Sequence, residues 1–329
     1  MTRYVLKRLA GAALVLLALS VLVYALFYVA PGDPARLACG ERCNPQQIAQ
    51  VRERLGLNES VVAQYLHFLQ GVFTGRDYST GTSVVHCDAP CLGLSYQNDQ
   101  QVTRLIMERL PATASLALGA LVVWLVIGVG TGLLSALRRG GPTERILTVL
   151  TLAATGTPVF ILGLLLLMVV CAYLQWLPFP SYVPLGEDPE QWAWNMLLPW
   201  LTLGFFESAK YARLTRSSTL ETLAEDHIRT FRAYGVGERA VVTRHALRGA
   251  VPPVIAISAV DLGYMFGGAV LTESLFGIPG LGKTLLEGVR SIDLPVVVGV
   301  VMVMGVAVVL AGVVADLLYA AADRRVVLT

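Results

Sequence analysis

Four stretches of this 329-residue sequence carry no charged side chain: Leu9 to Ala30, Ala112 to Leu137, Ile146 to Gly186 and Leu294 to Ala315. A hydrocarbon layer about 30 Å thick is crossed by roughly 20 apolar helical residues, so each run can span a bilayer. Runs of this kind confine the chain to a bundle of membrane helices. The composition agrees: 55% of the residues are hydrophobic and 15% charged, where a soluble domain carries about 25% charged. Disorder, collagen-like repeats and a disulfide miniprotein are excluded, and an ordinary soluble enzyme is disfavoured. A net charge of +2 points to no nucleic-acid partner.

Two further segments are less clean. Trp192 to Phe206 is apolar but short, with Glu207, Lys210 and Arg213 at its end. Ala250 to Thr272 is long enough but holds Asp261 near its middle. A central Asp costs about 2.5 to 3.5 kcal/mol on insertion scales, which several Leu, Ile, Phe or Val at about 0.3 to 0.6 each can offset. The expectation is an all-α polytopic membrane protein with six transmembrane helices. The third run, one tilted span with an exit loop, should kink at Gly156 and Pro158. Arg3, Lys7 and Arg8 resemble the basic end of a signal peptide, but the apolar run after them is too long and lacks a cleavage site in place. The first span is therefore expected to be retained. With the N-terminus inside, the segments 1–8, 138–145, 207–249 and 316–329 hold sixteen of the 25 Lys and Arg residues. Basic residues favour the cytoplasmic side, which gives N-in and C-in.

The sequence divides into the N-terminal tail and first span (1–30), an extracytoplasmic helical insert (31–111) and a core of spans 2–6 (112–329). The insert is too long for a bare connector. Asn44-Pro45-Gln46-Gln47 reads as an N-cap, a proline at the first helical position and a capping Gln, with Gly56 as the stop. A second helix is expected from Ser60 to Gln70, burying Val62, Tyr65, Leu66 and Leu69. Four of the five cysteines lie here, as Cys39-x3-Cys43 and Cys87-x3-Cys91. An extracytoplasmic setting favours two disulfides, with three connectivities open; a four-thiolate zinc site is the rival reading. Cys171 sits in an apolar run and reads as packing.

Gly277-Ile278-Pro279-Gly280-Leu281-Gly282-Lys283-Thr284 matches the nucleotide-binding pattern G-x4-G-K-[ST] letter for letter. That motif needs a buried parallel strand before it and a helix after it. Here it falls outside, between the fifth and sixth spans, where no soluble segment could build the sheet. It is read as a tight turn or short re-entrant hairpin, and no nucleotide site is assigned. H-E-x-x-H and G-x-S-x-G are absent, so no catalytic or metal constellation is assigned. His227 and His245 are expected on solvated helix faces.

Residues 217–252 are the most informative stretch. Nothing breaks a helix up to Tyr234; Gly235 and Gly237 then make a turn, and a second helix from Glu238 to Gly249 carries Arg239, Arg244 and Arg248. A linker could be far shorter, so a hairpin of this length reads as a docking element for a soluble partner. Glu225-Asp226-His227-Ile228-Arg229-Thr230-Phe231-Arg232-Ala233-Tyr234-Gly235, followed by Arg244-His245-Ala246-Leu247-Arg248-Gly249-Ala250 and Pro252, resembles the EAA loop of ABC importer permeases. The form is that of the dipeptide/oligopeptide permease subunits. Pro31-Gly32-Asp33-Pro34, Glu273-Ser274-Leu275-Phe276 with Pro279-Gly280-Leu281-Gly282, and the segment from Asp316 to Arg325 agree, so the resemblance covers essentially the whole chain. Phe231, Tyr234 and Val251 depart from the usual Ala, Lys and Leu, and the paired cysteines are not general in the family.

The resemblance implies a transmembrane subunit, in the cytoplasmic membrane, of an ATP-driven importer of dipeptides or oligopeptides. Nickel, glutathione or oligosaccharide is an alternative cargo, and a non-ABC secondary transporter or channel the reading from another class. It implies a second homologous permease subunit, two ATPase subunits and an extracytoplasmic substrate-binding protein as partners. No cofactor is expected in this chain, Mg-ATP residing on the ATPases. Glu225, Asp226, Arg229, Thr230, Arg232, Ala233 and Gly235 would be the ATPase-coupling residues. Asp261, an ionisable group within a span, is a functional candidate in its own right, facing the pathway or the partner subunit; a polar contact between helices is the other reading.

Overall fold

The structure, a computed structural model, describes residues 2–28, 35–36, 44–54, 58–79 and 84–322. Cys39, Cys43, Gly56, the Pro31-Gly32-Asp33-Pro34 motif and residues from Asp323 onward lie outside these residues. The chain forms two packing units, one of residues 2–113 with 279–309, the other of residues 114–278 with the chain from Leu310.

In the first unit, α1 (Thr2–Tyr28) is followed by α2 (Pro45–Arg54) and α3 (Val61–Thr74). The Asn44 cap forms as its sequence dictates: Gln47 N donates to Asn44 Oδ1 at 2.8 Å, and Asn44 N donates back to Gln47 Oε1 at 3.0 Å. In α3 the face expected to be buried is corrected. Val62 and Leu66 are exposed, and the helix instead meets α1 through Tyr65 and Phe68. Tyr65 hydroxyl lies 2.7 Å from Ser20 Oγ, and both rings pack against Tyr24.

Next come two short strands that the sequence reading did not anticipate, β1 (Arg76–Ser79) and β2 (Val84–Cys87), paired antiparallel with Asp77 opposite His86. Four-residue strands give too short an alternation to register as a pattern. The Asp77 carboxylate hydrogen-bonds His86 Nδ1 and raises the imidazole pKa above its usual value. Cys87 and Cys91 are disulfide-bonded with Cα atoms 5.6 Å apart. Both sulfurs are thereby taken, so neither is free as a zinc thiolate. A core of Leu92, Val102, Ile106, Leu281, Val296, Val300 and Met304 joins the start of α4 (Val102–Leu137) to α12 (Leu281–Arg290) and α13 (Leu294–Ala322).

The second unit contains most of α4, then α5 (Pro142–Gly156), α6 (Val159–Leu166) with a π-helical extension Leu167–Tyr173, and α7 (Pro189–Ala224). After these come α8 (Asp226–Ala233), α9 (Glu238–Ala240), the π-helical Val241–Ala246, α10 (Leu247–Gly268) and α11 (Val270–Leu275). The kink expected at Pro158 is a full break: α5 and the helix from Val159 meet at 103°. Proline pushes its predecessor out of the helical region, and Thr157 has φ −98° and ψ 122°.

The expected count of six spans is not confirmed. Among the described residues, Val102–Leu137, Glu238–Phe266 and Leu294–Leu318 are long and apolar enough to cross a membrane, and the bent pair makes a fourth if it counts as one. In α1 the residues searched give an apolar helix at Ala10–Ala25. In α7 the apolar half ends at Glu207, so its 36 residues fall short in apolarity, not in length.

Helices α4 and α7 approach closely through small residues, as membrane helices do where packing replaces the hydrophobic effect. A Cβ on Gly128 would lie 2.6 Å from Tyr211 Cβ and 2.9 Å from the Ser208 carbonyl oxygen. Trp124 stacks on Tyr211 beside it, with centroids 5.9 Å apart. Gly130 has nothing within 4 Å of that position. Gly128→Leu is therefore expected to cost more than the roughly 1–3 kcal/mol of ordinary overpacking and to lower the melting temperature of the purified protein. Gly130→Leu should leave it unchanged; equal effects would contradict this packing.

Candidate functional site

The first arm of the hairpin, expected as one helix from Ser217 to Tyr234, is interrupted. Glu225 is extended, with φ −67° and ψ 149°, so α7 ends at Ala224 and α8 is a separate piece of 8 residues. Ile228 is the one fully buried side chain of α8. Asp226 at the first turn and Arg232 in the last turn suit the helix dipole.

The expected coupling residues lie together on this piece. Glu225 pairs with His227 Nδ1 at 3.0 Å, and Asp226 with Arg229 at 3.3 Å; all four are exposed. Thr230 Oγ1 donates to the Asp226 carbonyl at 3.1 Å. Ala233 closes the helix, and Gly235 turns the chain with φ +78°, a conformation that costs glycine nothing. Arg232 grips Glu238 across the turn, Nη2 to Oε1 at 2.6 Å and Nε to Oε2 at 3.1 Å. That fork holds the Glu238 carboxyl below the usual carboxylate range. The return arm is longer than expected: α9, the π-helical turn and α10 form one apolar helix, Glu238–Phe266, running through Pro252 and Pro253. The hairpin thus feeds straight into that apolar helix.

Three residues of this site were missed or misplaced by sequence reasoning. Ile228 is the anchor, and its signal was an isolated aliphatic residue in a polar octapeptide. Phe231 stacks on His245 with centroids 3.9 Å apart, and His227 meets Phe231 edge-on at 6.1 Å. His245 is therefore not on a solvated face; it belongs to the joint between α8 and the π-helical turn. Tyr234, 82% exposed, stands at the tip. An exposed ion pair contributes only about 0–1 kcal/mol to stability, so Arg232 acts on geometry. Arg232→Glu should leave the melting temperature unchanged yet weaken transport about tenfold, the effect of a coupling loss near 1.4 kcal/mol. The exchange Arg232→Glu with Glu238→Arg should restore it; failure of the exchange would count against the fork.

Asp261 occupies a different place. Its Oδ2 accepts from Lys210 Nζ at 2.6 Å and from Tyr211 hydroxyl at 2.7 Å, both on α7. Asp261 is 14% exposed and Lys210 47%, and the pair joins α7 to α10.

The segment 277–284 is a turn at Gly277, with φ +69°, followed by α12. The element before it is helix α11, not a strand. Thr284, which a nucleotide loop would turn toward a metal ion, is buried and donates to Gly280 O at 2.8 Å, while Leu281 N is taken by Thr113 Oγ1.

Residues 1–117 match the family described as binding-protein-dependent transport system membrane component, N-terminal part. Residues 128–328 match the binding-protein-dependent transport system inner membrane component. The chain is 32% identical over 98% of its length, and 98% of the relative, to the probable peptide ABC transporter permease protein y4tP of Sinorhizobium fredii. It is 34% identical, over 99% of both chains, to the glutathione transport system permease protein GsiC of Escherichia coli K12. In fold it is similar to the MetNI methionine ABC transporter in inward-facing conformations, with a TM-score of 0.54 at 17% identity, covering 68% of this chain and 98% of that one.

Proposed function

Since this chain belongs to the binding-protein-dependent transport system inner membrane component family, and so is a membrane subunit of an ABC importer and not an enzyme, we propose that it carries peptides into the cell. The observation that supports this best is the likeness, at 32% identity over nearly the whole chain, to a peptide permease. It works with other ABC components; the finer reading is one second permease subunit, two ATPase subunits that hold Mg-ATP, and an extracytoplasmic binding protein. The residues from Glu225 to Gly235 dock in a groove of one ATPase. Closure of the ATPases moves α8, and the continuous helix behind Gly235 carries that movement into the membrane. A two-state element biased from both ends is what such coupling requires. The N-terminus and the hairpin are on the cytoplasmic side, with the insert 31–111 outside and residues 112–329 as the permease core.

Glutathione is a second reading, favoured by the relative of that specificity; it is itself a small peptide-like solute. Purifying the chain with its co-encoded partners and measuring ATP hydrolysis tests the proposal. Stimulation by the binding protein loaded with a peptide library, and by nothing when the binding protein is omitted, is the expected result. Hydrolysis or flux by the isolated chain would overturn it.

A further inference from the structure

Helix α3 holds no Asp, Glu, Lys or Arg, although it belongs to the segment expected outside the membrane. Its sides are distinct at 3.6 residues per turn. Tyr65 and Phe68 pack on Tyr24 of α1, with centroids 5.4 and 5.9 Å away, and the Tyr65 hydroxyl meets Ser20 Oγ at 2.7 Å. Val72 packs against the core of the same unit. His67, Gln70 and Thr74 line a polar cleft of about 410 Å³ together with Glu59, Arg76 and Asp77, and His67 Nδ1 pairs with Glu59 at 2.8 Å. Between the α1 contact and this cleft runs a stripe of Val62, Leu66, Leu69 and Phe73, which the helical repeat places on one face. Leu69 is partly buried, whereas Val62, Leu66 and Phe73 are exposed, Phe73 by 79%.

Depth decides what covers the stripe. Ser20 and Tyr24 lie inside the charge-free run from Leu9 to Ala30, roughly 15 and 9 Å from its Ala30 end at about 1.5 Å per residue. A helix fixed to those two side chains sits within the hydrocarbon layer, not above it. Helix α1 itself turns Leu14, Leu17 and Val21 outward, as a lipid-facing span does. We propose that α3 is embedded in the outer half of the bilayer, with Val62, Leu66 and Phe73 against acyl chains and the polar cleft turned to water. Its 14 residues are too few to span the membrane, and a helix keeps its backbone groups paired at that depth. In water the same stripe would be a bare apolar patch. It carries no donor or acceptor side chain by which a protein partner would be selected. The lipid contact does not depend on orientation; its assignment to the outer half rests on the N-in orientation proposed above.

The test is spin-label accessibility in the complete importer, reconstituted in vesicles of phosphatidylethanolamine and phosphatidylglycerol. Labels on Leu66→Cys, Phe73→Cys and Thr74→Cys, read against the unsubstituted chain, are relaxed either by oxygen, which concentrates among acyl chains, or by a nickel chelate confined to water. All three positions are exposed, so the melting temperature should not change on labelling. Oxygen should be several-fold the more effective at 66 and 73, and the chelate the more effective at 74, on the cleft side. Greater access of the chelate at 66 and 73 would place the stripe in water, and access of neither relaxant would place a protein on it; either result would overturn the proposal. A second measurement does not depend on a label. Leu66→Asp, which brings a charge to acyl-chain depth, should lower the melting temperature in the same vesicles, whereas Thr74→Asp should leave it unchanged. Equal effects of the two would count against immersion. Labelling an Arg139→Cys variant in sealed vesicles tests the orientation separately.

Discussion

Ile228→Asp is expected to abolish peptide uptake while leaving the protein in the membrane. Ile228 is fully buried, the one such side chain of α8. Removing the aliphatic side chain forfeits about 2–5 kcal/mol, and a carboxylate with no partner there adds a desolvation cost of several kcal/mol. A helix of 8 residues whose one other such contact is the Phe231–His245 stack is far too short to persist by itself. The helix should therefore undock, taking Arg229, Arg232 and Tyr234 out of register with any partner. None of the apolar runs includes position 228, so insertion is untouched. In proteoliposomes, uptake should fall to background and hydrolysis should lose its response to peptide, whereas Ile228→Leu should retain both. Normal uptake by the Asp variant would contradict the role given to α8.

The second large effect is expected at Asp261. Asp261→Leu removes the acceptor of both Lys210 and Tyr211 and leaves an ammonium at the edge of the membrane with no partner. Breaking a buried pair costs about 3–5 kcal/mol; Lys210 is about half exposed, so roughly 1–3 kcal/mol is expected here, seen as a lower melting temperature and poorer assembly of the complex. Replacing the pair together, Lys210→Met with Asp261→Leu, should restore both stability and uptake, because the geometry makes this contact a clamp between α7 and α10. Restored stability with uptake still absent would contradict the clamp and place Asp261 on the pathway.

Much of this was legible in the sequence, for physical reasons that differ from element to element. The uncharged runs announced a membrane bundle because nothing else accommodates them, and Pro158 announced a break because its ring removes a donor and constrains its neighbour. The Gly235 turn could be read because only glycine is at ease at positive φ. The break at Glu225 could not, because no residue there forbids a helix. Nor could the exposure of Val62 and Leu66, which share α3 with the Tyr65 and Phe68 that pack on Tyr24. The β1–β2 hairpin is too short to show a period. The partnership of Lys210 with Asp261, 51 residues apart, follows from helix packing alone. Departures from the family pattern proved informative in one case, since Phe231 forms the stack that joins α8 to its return arm.

The central claim is that the segment from Glu225 to Gly235 is where the ATPase acts on this chain, and Tyr234 allows it to be tested directly. Its side chain stands exposed at the tip of the hairpin and makes none of the contacts that hold α8 in place. A photo-crosslinking amino acid at position 234 in the complete complex should capture an ATPase subunit, in a yield that changes between the nucleotide-free and the ATP-trapped states. Capture of lipid or of the second permease subunit alone, in both states, would contradict the account.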